Sequence, residues 1–251
     1  MTGDILRVEQ LYKSFNGNSV IQGVDFSIPA GELSSIIGPN GAGKTTLFNL
    51  ITGLHLPDRG EVFFEGQKLT GLQPYRIVRR GIAKAFQITS IFPRLTVLEN
   101  VVAAVISRRR GNLNFFTPVR KQREVRERSF ELLESVGLTA MAHQQSGTLA
   151  HGNQKRLDIA VALALEPKLL LLDEPTAGMS PEERRETVQL VRELWEKMGL
   201  TMLFIEHDMD IVFGISQKVR VLCYGTLIAE GTPEEISRNE KVIEVYLGEE
   251  V

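Results

Sequence analysis

Among its 251 residues the chain has one cysteine, Cys223, and no uninterrupted apolar run longer than the seven residues from Ile159 to Leu165. A lone thiol forms no internal disulfide, and its setting in Val219-Arg220-Val221-Leu222-Cys223 makes it a buried structural residue, which argues against redox chemistry. A helix that crosses a bilayer needs about 20 apolar residues in succession. The runs here fall far short, and the opening Met1-Thr2-Gly3-Asp4 leads into no apolar secretory core, so the expectation is a soluble, cytosolic chain. Net charge is also nearly absent: 29 Lys and Arg stand against 31 Asp and Glu, leaving −2. With 43% apolar and 24% charged residues and no internal repeat or low-complexity tract, the composition is that of a folded globular chain, long enough for one large domain or two small ones.

The charge is unevenly distributed. Between Arg108 and Arg128 eight basic residues meet only Glu124 and Glu127, an excess of +6. Such a segment is either a solvated helix face and loop or a surface for an anionic partner, nucleic acid or lipid.

What is present is an alternation of strands and helices. Val24, Phe26 and Ile28 alternate with polar residues as a half-buried strand does, and Pro29 to Glu32 make a turn. Leu33 to Ile37 is a short apolar strand that runs into Gly38-Pro39-Asn40-Gly41-Ala42-Gly43-Lys44-Thr45-Thr46 and then a helix with Leu47, Leu50, Ile51 and Leu54 on one side. Further strands are expected at Glu61 to Glu65, Ile82 to Phe86, Leu169 to Leu172, Met202 to Ile205 and Val219 to Cys223. Glu182 to Met198 reads as a helix whose stripe of Val188, Val191, Leu194, Trp195 and Met198 packs inward. A hairpin is expected around Tyr224-Gly225, and Thr232 is a natural N-cap for a short helix opened by Pro233. The pattern predicts an α/β fold with a mostly parallel sheet, interrupted between residues 89 and 166 by helices and loops.

Two segments carry chemistry. Residues 38–45 fit the spacing G-x-x-x-x-G-K-[ST], in which backbone N–H groups and a helix N-terminus cradle polyphosphate, and glycines admit the ligand where side chains would block it. Lys44 would neutralise the β- and γ-phosphates and the Thr45 hydroxyl would ligate Mg²⁺. Leu169-Leu170-Leu171-Leu172 then delivers Asp173 and Glu174 to a strand end, where Asp173 serves the metal and Glu174 can polarise an attacking water. A kinase, a GTPase or many ATPases could use this pair of segments.

Four further segments make the pattern specific. Leu149-Ala150-His151-Gly152-Asn153-Gln154 resembles the signature segment of the ATP-binding cassette (ABC) ATPases, Gln87 in Ala85-Phe86-Gln87 their Q-loop, Ala177-Gly178-Met179-Ser180 their D-loop, and His207 in Ile205-Glu206-His207-Asp208 their switch histidine. All stand in family order across essentially the whole chain. The resemblance implies a RecA-like P-loop core with an N-terminal antiparallel β portion over residues 1–88 and 167–251, a helical subdomain over 89–166 and a helical tail over 232–251. It also implies ATP and Mg²⁺ as ligands: Phe15 under the adenine, Gln87 sensing the metal, and His207 holding the γ-phosphate and the lytic water. In a head-to-tail dimer, Lys44 of one subunit and Ala150, His151, Gly152 and Gln154 of the other would face the same nucleotide. His55 and His143 read as solvated.

The Leu-Ala-x-Gly form of the signature, the Glu174-Pro175-Thr176-Ala177-Gly178-Met179 run and the ending from Gly231 to Glu249 look most like the ATPases of branched-chain amino acid importers. That likeness implies two membrane permeases, a second ATPase subunit (a sister chain or a second copy), a periplasmic binding protein, a station on the inner face of the membrane, and no nucleic acid. Arg108 to Arg128 would then lie near anionic lipid. Lipopolysaccharide-export ATPases resemble the tail as well, and a soluble ABC-type switch is the rival outside transport. Two departures stand out: Ala150 replaces the serine whose hydroxyl would reach the γ-phosphate, and Ser180 stands where many relatives have an acid.

Overall fold

The computed structural model of the chain describes residues 3–85, 91–108 and 123–247. In chain order the strands are β1 (Asp4–Phe15), β2 (Asn18–Pro29), β3 (Leu33–Ile37), β4 (Arg59–Phe64), β5 (Gln67–Lys68), β6 (Ile82–Ala85), β7 (Leu169–Asp173), β8 (Thr201–Ile205), β9 (Lys218–Cys223) and β10 (Thr226–Gly231). The helices are α1 (Lys44–Ile51), α2 (Pro74–Arg80), α3 (Val97–Arg108), α4 (Arg123–Ser135), α5 (His151–Leu163), α6 (Pro181–Met198), α7 (Met209–Ile215), α8 (Pro233–Ser237) and α9 (Glu240–Leu247).

A central sheet in the order β10-β9-β3-β8-β7-β6 is parallel except for its edge strand β10. A second sheet, β2-β1-β4-β5, is antiparallel. The central strands read as continuous apolar runs because both their faces are covered. Period-two alternation sends Leu169, Leu171, Leu203 and Ile205 into a core shared with the antiparallel sheet and α1. Leu170, Leu172, Met202 and Phe204 go to the opposite core, shared with α3, α4 and α5. Full burial of each such side chain contributes about 1.5–3 kcal/mol.

Between β6 and β7 the described residues form helices and turns, joined by one isolated bridge from Thr96 to Gln145. Val97, Val101, Val105, Leu132, Leu133 and Leu157 bury one common seam there. The stripe on α6 is shorter than its sequence suggests. Val191 and Leu194 are buried and the Trp195 Nε1 donates to the Gly31 carbonyl at 2.8 Å, but Met198, one residue before the left-handed cap Gly199, is exposed. Tyr224 and Gly225, both at positive φ, join β9 to β10, and Thr232 caps α8 in a reciprocal box with Glu235.

One buried cation ties the two sheets. Arg220 on β9 is fully buried, donates to Glu32 Oε1 at 3.0 Å, Glu230 Oε1 at 3.3 Å and the Ser27 carbonyl of β2 at 2.6 Å, and lies 5.3 Å from the Phe26 ring. A charge buried there is offset by two carboxylates at the rim and by the Ser27 carbonyl and the Phe26 ring.

Candidate functional site

The glycine loop spans β3 to α1. A Cβ on Gly38 would lie 1.9 Å from the Leu222 carbonyl oxygen, and Gly43, at φ 102°, has the Val20 carbonyl 2.8 Å from the place its Cβ would take. Neither position admits a side chain. The loop is braced from outside by the Gly225 N–H, which donates to the Ala42 carbonyl at 3.0 Å. Gly43 caps α1 without a side chain and no acid stands in the first turn, so the helix N-terminus presents N–H groups suited to an anion. Lys44 is buried, and its Nζ donates to the carbonyls of Gly38 at 2.6 Å and Pro39 at 2.9 Å, curled inside the loop. Asn40, Gly41 and Thr45 are exposed, Ala42 is buried and Thr46 half-buried.

Asp173 ends β7 and is almost wholly buried. Its Oδ2 pairs with Lys84 Nζ of β6 at 2.8 Å, and Lys84 also reaches Asn49 Oδ1 of α1 at 3.3 Å. Its Oδ1 is buried with no hydrogen-bond partner among the described residues. An orphaned carboxylate oxygen is costly to bury and is the donor a hard cation seeks. No cluster of three or more His, Cys, Asp or Glu that could hold a metal exists among the described residues. Mg²⁺ takes one or two carboxylates and completes its shell with phosphate oxygens and water, so Asp173 is the kind of donor it uses. Gln87, the other expected metal-side residue, lies outside the described residues.

Glu174 follows at φ 51°, a left-handed conformation that costs a non-glycine residue about 1–3 kcal/mol. Its N–H donates to the Ile205 carbonyl at 3.0 Å, and its Oε1 lies 2.8 Å from His207 Nε2. A carboxylate and an imidazole at that distance can share a proton and orient a water between them and a substrate. Glu206 ties the two loops together: its Oε1 accepts from the Thr176 N–H at 2.9 Å and the Thr176 hydroxyl at 2.5 Å, and its Oε2 from the His207 N–H at 3.2 Å. Asp208 caps α7, accepting from the N–H groups of Asp210 and Ile211, and pairs with Arg184 of α6 at 2.9 Å.

The second glycine turn opens α5. Ala150 is its N-cap and supplies no side-chain acceptor, and Gln154 turns its Nε2 back onto the Leu149 carbonyl at 3.0 Å. His151 is exposed, while a Cβ on Gly152 would stand 3.1 Å from Glu183 Oε1 at the start of α6. Ser180 caps α6: its hydroxyl accepts from the Glu183 N–H at 3.3 Å, and its own N–H donates to Glu183 Oε2 at 2.9 Å. The Ser180 N–H, and then its hydroxyl, hold the Glu183 carboxyl below the usual carboxylate range. Capping gives this side chain a structural role, but an aspartate would cap equally well, so capping does not by itself explain serine in place of an acid.

Phe15 ends β1, is 38% exposed and packs edge-on against His55 with centroids 5.2 Å apart. His55 is therefore a half-buried wall of this corner rather than a solvated histidine, whereas His143 is exposed. Asp58 holds the corner in place, accepting from Lys13 Nζ at 2.9 Å and the Ser14 N–H at 2.7 Å. Those two bonds, the Lys13 one first, set its carboxyl below the usual range. In the basic segment the described residues are all engaged: Arg108 reaches the Arg79 carbonyl, Arg123 pairs with Glu127, Arg128 with Glu131, and Arg126 lies over Phe130. Arg109, Arg110, Arg120 and Lys121 lie outside the described residues.

Lys84 and Arg184 join the site without any linear motif to announce them, and Glu206 and Asp208 flank His207 in its segment without a role that the segment itself assigns. The sequence signal for Lys84 and for Glu206's structural part is a charge against an otherwise apolar strand, Ile82-Ala83-Lys84-Ala85 and Leu203-Phe204-Ile205-Glu206.

A phosphate loop, a strand-end acid pair, a switch histidine and a second glycine turn in one chain define a nucleotide-binding cassette. The chain belongs to the ABC transporter family, whose model matches residues 21–177, and a branched-chain amino acid ATP-binding cassette transporter model matches residues 226–251. It is 40% identical to the high-affinity branched-chain amino acid transport ATP-binding protein BraF of Pseudomonas aeruginosa, over 99% of this chain and 100% of that one. It is likewise 40% identical to LivG of Escherichia coli, with the same coverage. Among solved structures it resembles the ADP conformation of MJ1267, an ATP-binding cassette of an ABC transporter, with a TM-score of 0.87, 35% identity and coverage of 98% and 100%. It also resembles the dimeric, post-hydrolysis cassette MJ0796 bound to ADP and Pi, with a TM-score of 0.79, 28% identity and coverage of 91% and 98%. The chain is thus an ATPase cassette with an α/β P-loop fold.

Proposed function

We propose that this chain powers uptake of branched-chain or related amino acids by closing on a second ATPase subunit around ATP and reopening after hydrolysis. The observation that carries this reading is the tied pair of Glu174 and His207, 2.8 Å apart, beside the orphaned oxygen of Asp173. In this reading Asn40 to Thr46 wrap the triphosphate, Lys44 exchanges its loop carbonyls for phosphate oxygens, and Phe15 lies against the base. Asp173, the Thr45 hydroxyl and Gln87 would hold Mg²⁺, which would neutralise charge on the phosphates and leave the γ-phosphorus open to in-line attack. Glu174 takes a proton from the attacking water, and His207 keeps Glu174 and the γ-phosphate oriented.

The partner's Ala150 to Gln154 turn would complete the site, and the dimeric arrangement of the similar cassette MJ0796 supports this. Two permeases, a sister ATPase or second copy, and a periplasmic binding protein make up the rest of the assembly, with this chain on the inner face of the membrane. No described helix is long and apolar enough to cross a membrane. The match of the tail and the names of the relatives support the cargo class over lipopolysaccharide.

Replacing Glu174 by Gln tests the chemistry. Phosphate release is expected to fall on the order of 10²-fold or more while ATP-dependent pairing lengthens in size-exclusion chromatography. Undiminished release rejects Glu174 as the base. Uptake of labelled leucine into vesicles carrying the chain with its co-encoded permeases tests the cargo, and lipopolysaccharide movement in its place would overturn it.

A further inference from the structure

Lys155 has no part in the scheme above, yet it is 4% exposed and sits one turn into α5, directly behind the second glycine turn. Its Nζ donates to the main-chain carbonyl of Glu174 at 3.0 Å. Burial holds the lysine's pKa below its ordinary value, and the charges of Asp158, Glu206, Glu174 and Asp173 offset part of that shift. Glu174 is thereby anchored at each polar group. Its N–H is held by β8 through Ile205, its carboxylate by His207, and its carbonyl by Lys155 and the Ala177 N–H. The left-handed conformation at Glu174 persists because these anchors fix the peptide planes on both sides of it.

We propose that Lys155 is a positioning residue that couples the two nucleotide sites of the dimer, passing the placement of a chain's own signature turn to the backbone of its own Glu174. The inference rests on the dimer reading above, in which that turn faces the partner's nucleotide. The link is short and stiff. Residues 151–163 form one helix, so a displacement of its first turn carries Lys155 with it. A hydrogen bond from a charged donor is strong at this distance and weakens steeply when stretched or bent. Loss of that bond leaves the Glu174 carbonyl held by the Ala177 N–H alone, and the looser peptide plane lets the carboxylate drift from its alignment with His207.

The test compares Lys155→Met, which keeps the unbranched apolar stem and removes the donor, with Lys155→Arg, which keeps a cationic donor. Both are made in the full chain assembled with its permeases and its ATPase mate. Lys155→Met is expected to lower kcat on the order of 10-fold, leave the KM for ATP within about two-fold, and bring the Hill coefficient for ATP toward one. Lys155→Arg is expected to restore kcat and cooperativity. Without nucleotide, amide exchange across residues 174–179 is expected to quicken in the methionine variant only. Should that variant fail to fold, Lys155→Gln, whose amide is too short to reach the Glu174 carbonyl, is expected to show the same changes. A variant lacking the donor that matches the parent in kcat, cooperativity and exchange overturns the role of Lys155 alone. A parent complex with hyperbolic kinetics and no ATP-dependent pairing of cassettes overturns the dimer reading, and this inference with it.

Discussion

The molecule opens two helices with glycine turns, and they differ in what they bring to an anion. At the start of α1 the loop is locked on both sides by β2 and β9 and holds Lys44 curled within it. At the start of α5, Ala150 offers no side-chain cap, and Lys155, one turn on, is turned to the Glu174 carbonyl. Both ends leave first-turn N–H groups available. Only the first carries its own charge to hold a triphosphate; in the proposed pairing the second would complete a site whose cation comes from the partner.

The sharpest way to break this contrast is Lys44→Ala. ATP turnover is expected to fall on the order of 10²- to 10³-fold, the scale for removing one preorganised electrostatic partner of a reacting group. Full turnover in a coupled phosphate assay would mean that the loop does not need its cation. Next comes Ala150→Ser, which gives the second turn a cap and a hydroxyl donor. Capping is expected to stabilise the fold by about 1 kcal/mol. A hydrogen bond to a charged phosphate contributes about 1.5–3 kcal/mol, so ATP should bind the paired cassettes roughly tenfold more tightly or better. Unchanged affinity in a fluorescent-nucleotide titration sinks the missing-hydroxyl argument.

The smallest effect concerns the aromatic corner near the first turn. Asp58 has a folded-state pKa below its unfolded value because Lys13 and the Ser14 N–H bind its charged form. Its stabilising contribution is therefore complete above the ordinary carboxylate pKa of about 4 and is lost as pH falls through the lower folded value. Asp58→Asn should lower Tm slightly at neutral pH, and the gap between variant and parent should close on acidification below about pH 4. A gap that widens toward acid would refute the assignment.

Much of this was legible in the sequence where neighbours along the chain suffice. Leu169 to Leu172 read as a strand because both faces are buried, and the loop from Gly38 to Thr45 carries its geometry in its glycines. β1 was not legible, because register shifts between Asp4 and Leu6 and between Val8 and Tyr12, with Gln10 at φ 44°, break its alternation. Asn16-Gly17, both at positive φ, is the local signal for its hairpin with β2. Lys84, Glu206 and Lys155 escaped for another reason: each acts on a residue distant in sequence, and only the packed sheet brings them to Asp173, Thr176 and Glu174.

Arg220 bears on how the cassette can move. By clasping β2, β10 and Glu32 at once it makes the antiparallel layer and the strands that carry the glycine loop a single girder. The wall that bears Phe15 is thereby held to the sheet that positions Lys44, and the aromatic corner and the glycine loop are expected to travel as one body when the cassette moves.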